Sequence, residues 1–160
     1  MIKQPTKFVI DDITVYCGDC TTLLQTLPTH CCIITDPPFT MMNDAHLQSM
    51  LASLPYKPSD VLVLTNPLSG YMYHGQSYIV PELSTASTQY HRHQRPLAVM
   101  TSLVALTQGI VIDPYVGAGT TLIAAHTLQR ASIGIELDRH TFERCCQLLE
   151  NTRGYGGLFS

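Results

Sequence analysis

The sequence predicts an α/β fold: a doubly wound, mostly parallel sheet with helices on both faces. Three observations carry that reading. Short apolar or β-branched runs recur along the 160 residues, among them ITVYC, CCIIT, VLVLT, GIVID and ASIGI. Nearly all of them lack the strict alternation of a half-exposed strand, as expected of strands covered on both faces. Most are followed by polar, proline or glycine residues and then by a stretch with helical spacing, the alternation that builds parallel sheets. A chain of this length is one domain's worth and can bury a real core without disulfides or metal.

Residues 13–17, ITVYC, read as the first strand, broken by Gly18-Asp19 before a short helical stretch, TTLLQTL, that ends at Pro28. Residues 31–35, CCIIT, read as a strand buried on both faces, closed by Asp36-Pro37-Pro38-Phe39. Residues 43–54 place Leu47, Met50, Leu51 and Leu54 on one helical face, with Asn43 or Asp44 as the N-cap. VLVLT at 61–65 is the next strand, and the tyrosine-, serine- and threonine-bearing interval from Gly70 to Tyr90 is expected to be a hairpin or a long loop. Pro96 is expected as the first helical residue of LAVMTSLVAL, whose stripe is Leu97, Met100, Leu103 and Val104, with Gly109 as the stop. GIVIDP is then a strand, YVGAGT a glycine turn and TLIAAHTLQ a helix. ASIGIEL is the last strand, RHTFERCCQLLEN an amphipathic helix with Phe142, Cys145, Cys146 and Leu149 inward, and residues 154–160 a tail.

Composition narrows the classes of function. With 45% hydrophobic and 13% charged residues and no apolar run near the roughly 20 residues that cross a bilayer, membrane insertion is not expected. The segment MIKQPTKFVIDD lacks the apolar centre of a secretory signal, so a cytoplasmic location is expected, with the six cysteines as reduced and mostly buried thiols. Cys17 and Cys20 form a C-x-x-C, but Cys31/Cys32 and Cys145/Cys146 do not supply the second pair of a zinc site, and no metal is expected. A net charge of −3 argues against binding nucleic acid by bulk attraction. The local basic cluster is HRHQR at 91–95, so such affinity would be weak, local or borrowed from a partner.

Three motifs carry chemistry. In VIDPYVGAGTTLIAA an acidic residue ends a strand and Gly117-x-Gly119 opens a helix, where a ligand can approach the backbone closely and meet free N–H groups. It is neither a dinucleotide fingerprint, because position 122 is Leu, nor a phosphate loop, because no G-K-[ST] follows. Glu136 ends the next strand, where nucleotide-binding sheets place a carboxylate on ribose hydroxyls, while Asp138 reads as the N-cap of the last helix. Asp36 ends the buried strand at 31–35, and the two prolines after it hold the turn rigid.

The Asp36-Pro37-Pro38-Phe39 motif, together with HRHQRPLAVMTSLV, VIDPYVGAGTTLIAA and IGIELDRHTFERC, resembles the permuted branch of the S-adenosylmethionine-dependent DNA amino-methyltransferases. The resemblance runs from about residue 13 to 151. It implies a Rossmann-like class I methyltransferase fold in permuted order, with the catalytic motif ahead of the cofactor loop, as in many restriction-modification and phage enzymes. It also implies one catalytic domain over residues 1–160, with a short insertion at 70–90 and a tail. D-P-P in this family favours the N6 amine of adenine.

The implied chemistry explains why a strand should end on such a tetrapeptide. An exocyclic amine is a poor nucleophile because its lone pair is delocalised into the ring. The Asp36 carboxylate and the Pro37 carbonyl, fixed by Pro38, would accept its hydrogens and localise that pair, and Phe39 would stack on a base turned out of the duplex. For S-adenosylmethionine the resemblance implies Asp113 near the methionine moiety, Gly117 and Gly119 beneath it and Thr120 close to its carboxylate, with Tyr115 also cofactor-binding. It further implies Glu136 on the ribose, Asp36 on the amino group, and Leu137, His93 and Arg95 among the cofactor-binding residues. Asp19 either accepts from the adenine or merely forms a turn after Gly18.

Two departures matter. His91-Arg92-His93-Gln94-Arg95-Pro96 stands where the family has H-P-T-Q-K-P, so Arg95 keeps the lysine's charge but not its shape. The interval at 70–90 is too short for a recognition domain, which implies low sequence specificity, a second copy of the chain as a homodimer, or a separate recognition subunit. The expected polymer is DNA, with RNA, cytosine N4 and a non-catalytic cofactor-binding subunit as the open alternatives.

Overall fold

In the computed structural model, Cys31–Thr35 forms strand β3, buried at every position and set mid-sheet between two parallel neighbours. Residues 6–36, 49–65, 70–73, 76–79 and 96–154 are described. Four further strands precede the hairpin's second arm: β1 (Thr6–Ile10), β2 (Ile13–Cys17), β4 (Val61–Thr65) and, antiparallel to β4, β5 (Gly70–Tyr73). After β6 (Gln76–Ile79) come helix α2 (Leu97–Ala105), β7 (Ile110–Asp113), α3 (Thr120–Thr127), β8 (Ser132–Glu136) and α4 (Arg139–Gly154). A short α1 (Cys20–Leu23) follows β2 and runs into a 3₁₀ turn at Leu24–Thr26. The eight strands are ordered β1-β2-β8-β7-β3-β4-β5-β6. The pairs from β2 to β4 are parallel, and those at both margins are antiparallel.

Because side chains alternate along a strand, β3 feeds two cores. Cys32 and Ile34 pack with Leu62, Leu64 and Val111 under α2 (Val99, Met100, Leu103, Val104) and α3 (Ala124, Ala125). Cys31 and Ile33 face the other way, with Ile112 and Ile135, onto Cys20, Leu24 and Met50. A third cluster joins Ile13, Val15, Val116 and Leu122 to Phe142, Cys145 and Leu149 of α4. Full burial of each such Leu or Ile contributes roughly 1.5–3 kcal/mol. This is the doubly wound, mostly parallel α/β sheet that the sequence predicts.

Several local expectations shift. Strand β1 has no counterpart among the predicted elements: its five residues are mostly exposed and form a hairpin with β2 through Asp11, at φ 51°. The stretch TTLLQTL is one α-turn and one 3₁₀ turn, since α1 ends at Leu23. Pro96 is the N-cap of α2, not its first helical residue: its ψ of 136° is extended, although its carbonyl already accepts from the Met100 N–H at 3.2 Å. Gly154, expected in the tail, ends α4. The 70–90 interval is a hairpin at β5 and β6, with the remainder outside the described residues. Of the helix expected at 43–54, residues 49–52 are helical and 43–48 lie outside the described residues. Met50 points into the core as expected.

Candidate active site

Four acidic residues stand at or just beyond the carboxyl ends of the parallel strands: Asp19 after β2, Asp36 after β3, Asp113 closing β7 and Glu136 closing β8. The sheet order β2-β8-β7-β3 sets them side by side as Asp19, Glu136, Asp113 and Asp36, an order different from that of the chain. A parallel sheet gathers its crossover loops at one edge, so residues more than a hundred positions apart become neighbours there.

The loop between β7 and α3 is tied down from both sides. The buried Asp113 carboxylate accepts the Tyr115 N–H at 3.1 Å and the Thr121 hydroxyl at 2.6 Å. Glu136 accepts the Gly117 N–H at 3.2 Å and the Asp138 N–H at 2.9 Å, bridging the end of β8 to the glycine turn. Gly117 and Gly119 have φ of 51° and 86°, a region that disfavours side chains. A Cβ on Gly119 would also sit 2.9 Å from Cys145 Sγ, whereas above Gly117 the nearest atom is the Tyr115 carbonyl oxygen at 4.0 Å. One glycine admits close packing by α4, and the other leaves open space over the loop.

Burial pushes the Asp113 carboxyl up to about 7; hydrogen bonds from Thr121 and the Tyr115 amide oppose that rise, and the charges of Asp36 and Glu136 add to it. Burial also raises the Tyr115 phenol, assisted by the Cys20 thiol beside it. A cleft of about 560 Å³ joins these groups. Asp36, Asp113, Tyr115, Gly117 and Thr120 line one part of it, and Thr141, Arg144, Gln147 and Asn151 of α4 line another.

The structure thus brings Asp36, Asp113, Tyr115, Gly117 and Thr120 to one cleft. Glu136 joins them through the Gly117 amide. Asp19 caps α1, accepting from the Thr21 N–H and hydroxyl at 2.8 Å each, so part of its acceptor capacity is spent on the helix. Leu137 is 75% exposed at the end of β8. Asp138 caps α4 as expected, accepting the Thr141 N–H and hydroxyl at 2.8 Å each. Pro37, Pro38, Phe39, His93 and Arg95 lie outside the described residues. Thr121 and the α4 wall are additions that sequence reasoning does not reach. A signal for Thr121 exists in the second threonine of G-T-T, and one for the wall in the polar stripe beside the buried Phe142-Cys145-Leu149 face.

The cysteines are free thiols, Cys17 and Cys20 included. Among the described residues no group of three or more His, Cys, Asp or Glu side chains could hold a metal ion. None of the described helices is long and apolar enough to cross a membrane.

Residues 71–147 match the family model N6_N4_Mtase, DNA methylase. The chain resembles the N6/N4 DNA methylase family. The match takes in β5 through most of α4, hence both Asp113 and Glu136. Over 50 residues the chain is 48% identical to the type II methyltransferase M.HindIII of Haemophilus influenzae, covering 29% of this chain and 16% of that relative. Among solved structures, the M1.HpyAVI-SAM complex superposes with a TM-score of 0.62 at 18% identity, over 86% of this chain and 98% of that one. TTHA0409 of Thermus thermophilus gives 0.52 at 16% identity, over 82% and 91%. At such identities the likeness establishes the fold, which is the Rossmann-like methyltransferase fold that the motifs imply.

Proposed function

We propose that the protein is an S-adenosylmethionine-dependent DNA methyltransferase acting on the exocyclic N6 amine of adenine, with low intrinsic sequence specificity. One observation carries the reading: Asp36, at the end of a fully buried strand, shares a cleft with Asp113 and the glycine loop. The DNA methylase match over 71–147 supports the class of reaction, and D-P-P-F at 36–39 favours adenine N6.

The residues present suit the cofactor. Asp113 offers a carboxylate for an ammonium group, Glu136 has lone pairs left for hydroxyl donors, and the space over Gly117 admits a ligand against the backbone. Exposed Leu137 offers an apolar face next to Glu136 for a purine ring. When bound, S-adenosylmethionine supplies an already activated methyl group. The protein's task is then positional. Asp36 accepts a hydrogen of the target amine and draws its lone pair out of conjugation, with the Pro37 carbonyl as second acceptor and Phe39 as stacking face by resemblance. No covalent intermediate with the protein is required. Free thiols at all six cysteines fit a reducing, cytoplasmic setting. Residues 1–160 act as one catalytic domain, and target choice falls to a second copy of the chain or a recognition subunit.

The test is methyl transfer from labelled S-adenosylmethionine to double-stranded DNA, single-stranded DNA and RNA, followed by digestion to nucleosides and mass spectrometry. N6-methyladenine in DNA is expected, with Asp36→Ala lowering the rate by about 10²–10³-fold, as for loss of one preorganised transition-state contact. A product at cytosine N4, or no product despite cofactor binding, would overturn the assignment.

A further inference from the structure

The cleft that holds Asp36 does not stop at the glycine loop. It continues over Gly117 and Ala118 to one face of α4, lined there by Thr141, Arg144, Gln147, Leu148 and Asn151. The resemblance gives no role to these α4 side chains, although its last segment, IGIELDRHTFERC, runs through Thr141 and Arg144. Its charge is selective. Helix α4 carries two glutamates, and both are directed elsewhere: Glu143 pairs with Arg139 at 2.7 Å, and Glu150 lies beside Phe8, Val9 and Ile10 of β1. Three arginines with described side chains can be compared. Arg130 is spent on backbone carbonyls, and Arg139 on Glu143 and the Thr6 hydroxyl. Among the described residues Arg144 makes no hydrogen bond or ion pair, yet it lines the cleft. A guanidinium flanked by neutral amides and a hydroxyl, in a chain of net charge −3, is matched to an anion brought in by a ligand.

Resting on the DNA methylation reading above, we infer that this face of α4 is a landing track for the sugar-phosphate backbone of the DNA strand whose base enters the cleft. Arg144 takes a phosphate, with Thr141, Gln147 and Asn151 as neutral donors on either side. The division of labour is electrostatic. The Asp36 and Glu136 carboxylates would repel a phosphate, so the acidic end receives the uncharged base and the α4 end receives the charged backbone. From Thr141 to Asn151 the helix advances about 15 Å, the axial length of about four nucleotides at ~3.4 Å per nucleotide. This gives a chain with so short an interval at 70–90 a local means of holding its substrate.

The experiment compares wild type, Arg144→Ala and Arg144→Lys. Binding of a labelled oligonucleotide, single- and double-stranded, is followed by fluorescence anisotropy across a salt series, and S-adenosylmethionine binding by calorimetry. Arg144 is exposed, so both variants are expected to fold, which circular dichroism checks. Arg144→Ala is expected to weaken oligonucleotide binding by about three- to tenfold and to reduce the salt slope by about 0.7–0.9, the signature of one lost phosphate contact. Arg144→Lys keeps most of the slope, and cofactor affinity is unchanged in both. Unaltered affinity and slope in Arg144→Ala would overturn the inference, as would a wild type that binds no oligonucleotide. Loss of cofactor affinity with oligonucleotide binding intact would also overturn it, assigning Arg144 to the cofactor's carboxylate. Failure of the underlying reading looks different: wild type then transfers no methyl group to any nucleic acid. A wild type that does transfer, with Arg144→Ala showing the same oligonucleotide KM, sinks the track alone.

Discussion

Arg130→Met should destabilise the fold by about 2–3 kcal/mol while leaving the cleft untouched. The guanidinium sits at the opposite edge of the sheet, just before β8, and fastens the loop that leaves α2. Its Nε and Nη2 both donate to the Gly109 carbonyl, at 3.1 and 2.6 Å. Its Nη1 donates to the carbonyls of Val104 (2.7 Å) and Thr107 (2.9 Å) and to the Thr107 hydroxyl (2.9 Å), and Nη2 reaches Cys32 Sγ at 3.3 Å. Not all these acceptors are orphaned by its loss. The Val104 carbonyl keeps the Thr107 N–H and hydroxyl, and the Thr107 hydroxyl keeps the Cys32 thiol. The carbonyls of Thr107 and Gly109 lose these partners. An unsatisfied buried acceptor costs about 1–3 kcal/mol, and the low end applies because Arg130 is only half-buried and water can follow it out. Urea unfolding checks the value: with a slope of about 1–3 kcal/mol per molar, the midpoint should fall by about 0.7–3 M at unchanged slope. Arg130→Lys should recover less than half, because one ammonium cannot span carbonyls that a planar fork reaches together. A Met variant within about 0.5 kcal/mol of wild type, or a Lys variant equal to Arg, would refute the reasoning.

Stability should also depend on pH through Asp113. Its folded pKa of about 7 lies above the ~3.9 of an unfolded aspartate, so between those values the folded state holds a proton that the unfolded state has lost. The associated stability is fully present below about pH 4 and is lost as pH rises through about 7. Thermal midpoints of the ligand-free protein should therefore rise between pH 7.5 and 5.5, and Asp113→Asn should flatten that slope; equal slopes in both proteins would refute the assignment. Gly119→Ala should cost about 1–3 kcal/mol, because its new methyl meets Cys145 Sγ and its φ of 86° strains any side chain. Gly117→Ala, with open space above it, should cost less stability but more cofactor affinity. Chemical unfolding and ligand calorimetry on the two variants separate these effects, and the same ranking in both measurements would count against the loop's division of roles.

The strands at 31–35, 61–65, 110–113 and 132–136 and the helices after the glycine turn were legible because their signals are local. Continuous apolar runs, a 3.6-residue stripe and the φ that Gly119 requires all lie within a few residues of one another. The same holds for Asp36, Asp113 and Glu136, each marked by a strand end. Margins were less legible. Strand β1 is half-exposed and gains its pairing only from β2, so neither continuous hydrophobicity nor a helical period announces it. Pro96 carries the same chemistry at an N-cap as at the first helical position, and the ψ of the backbone decides between them. The sequence by itself determined which residues end buried strands on an acid and which must turn on glycine. Tertiary structure alone decided that β7 lies between β3 and β8, which sets residues 36, 113 and 136 at one edge, and that α4 offers Arg144 to their cleft while turning its glutamates away. Strand neighbours follow from how three apolar clusters close around one sheet, a property of the whole chain that no window of residues contains.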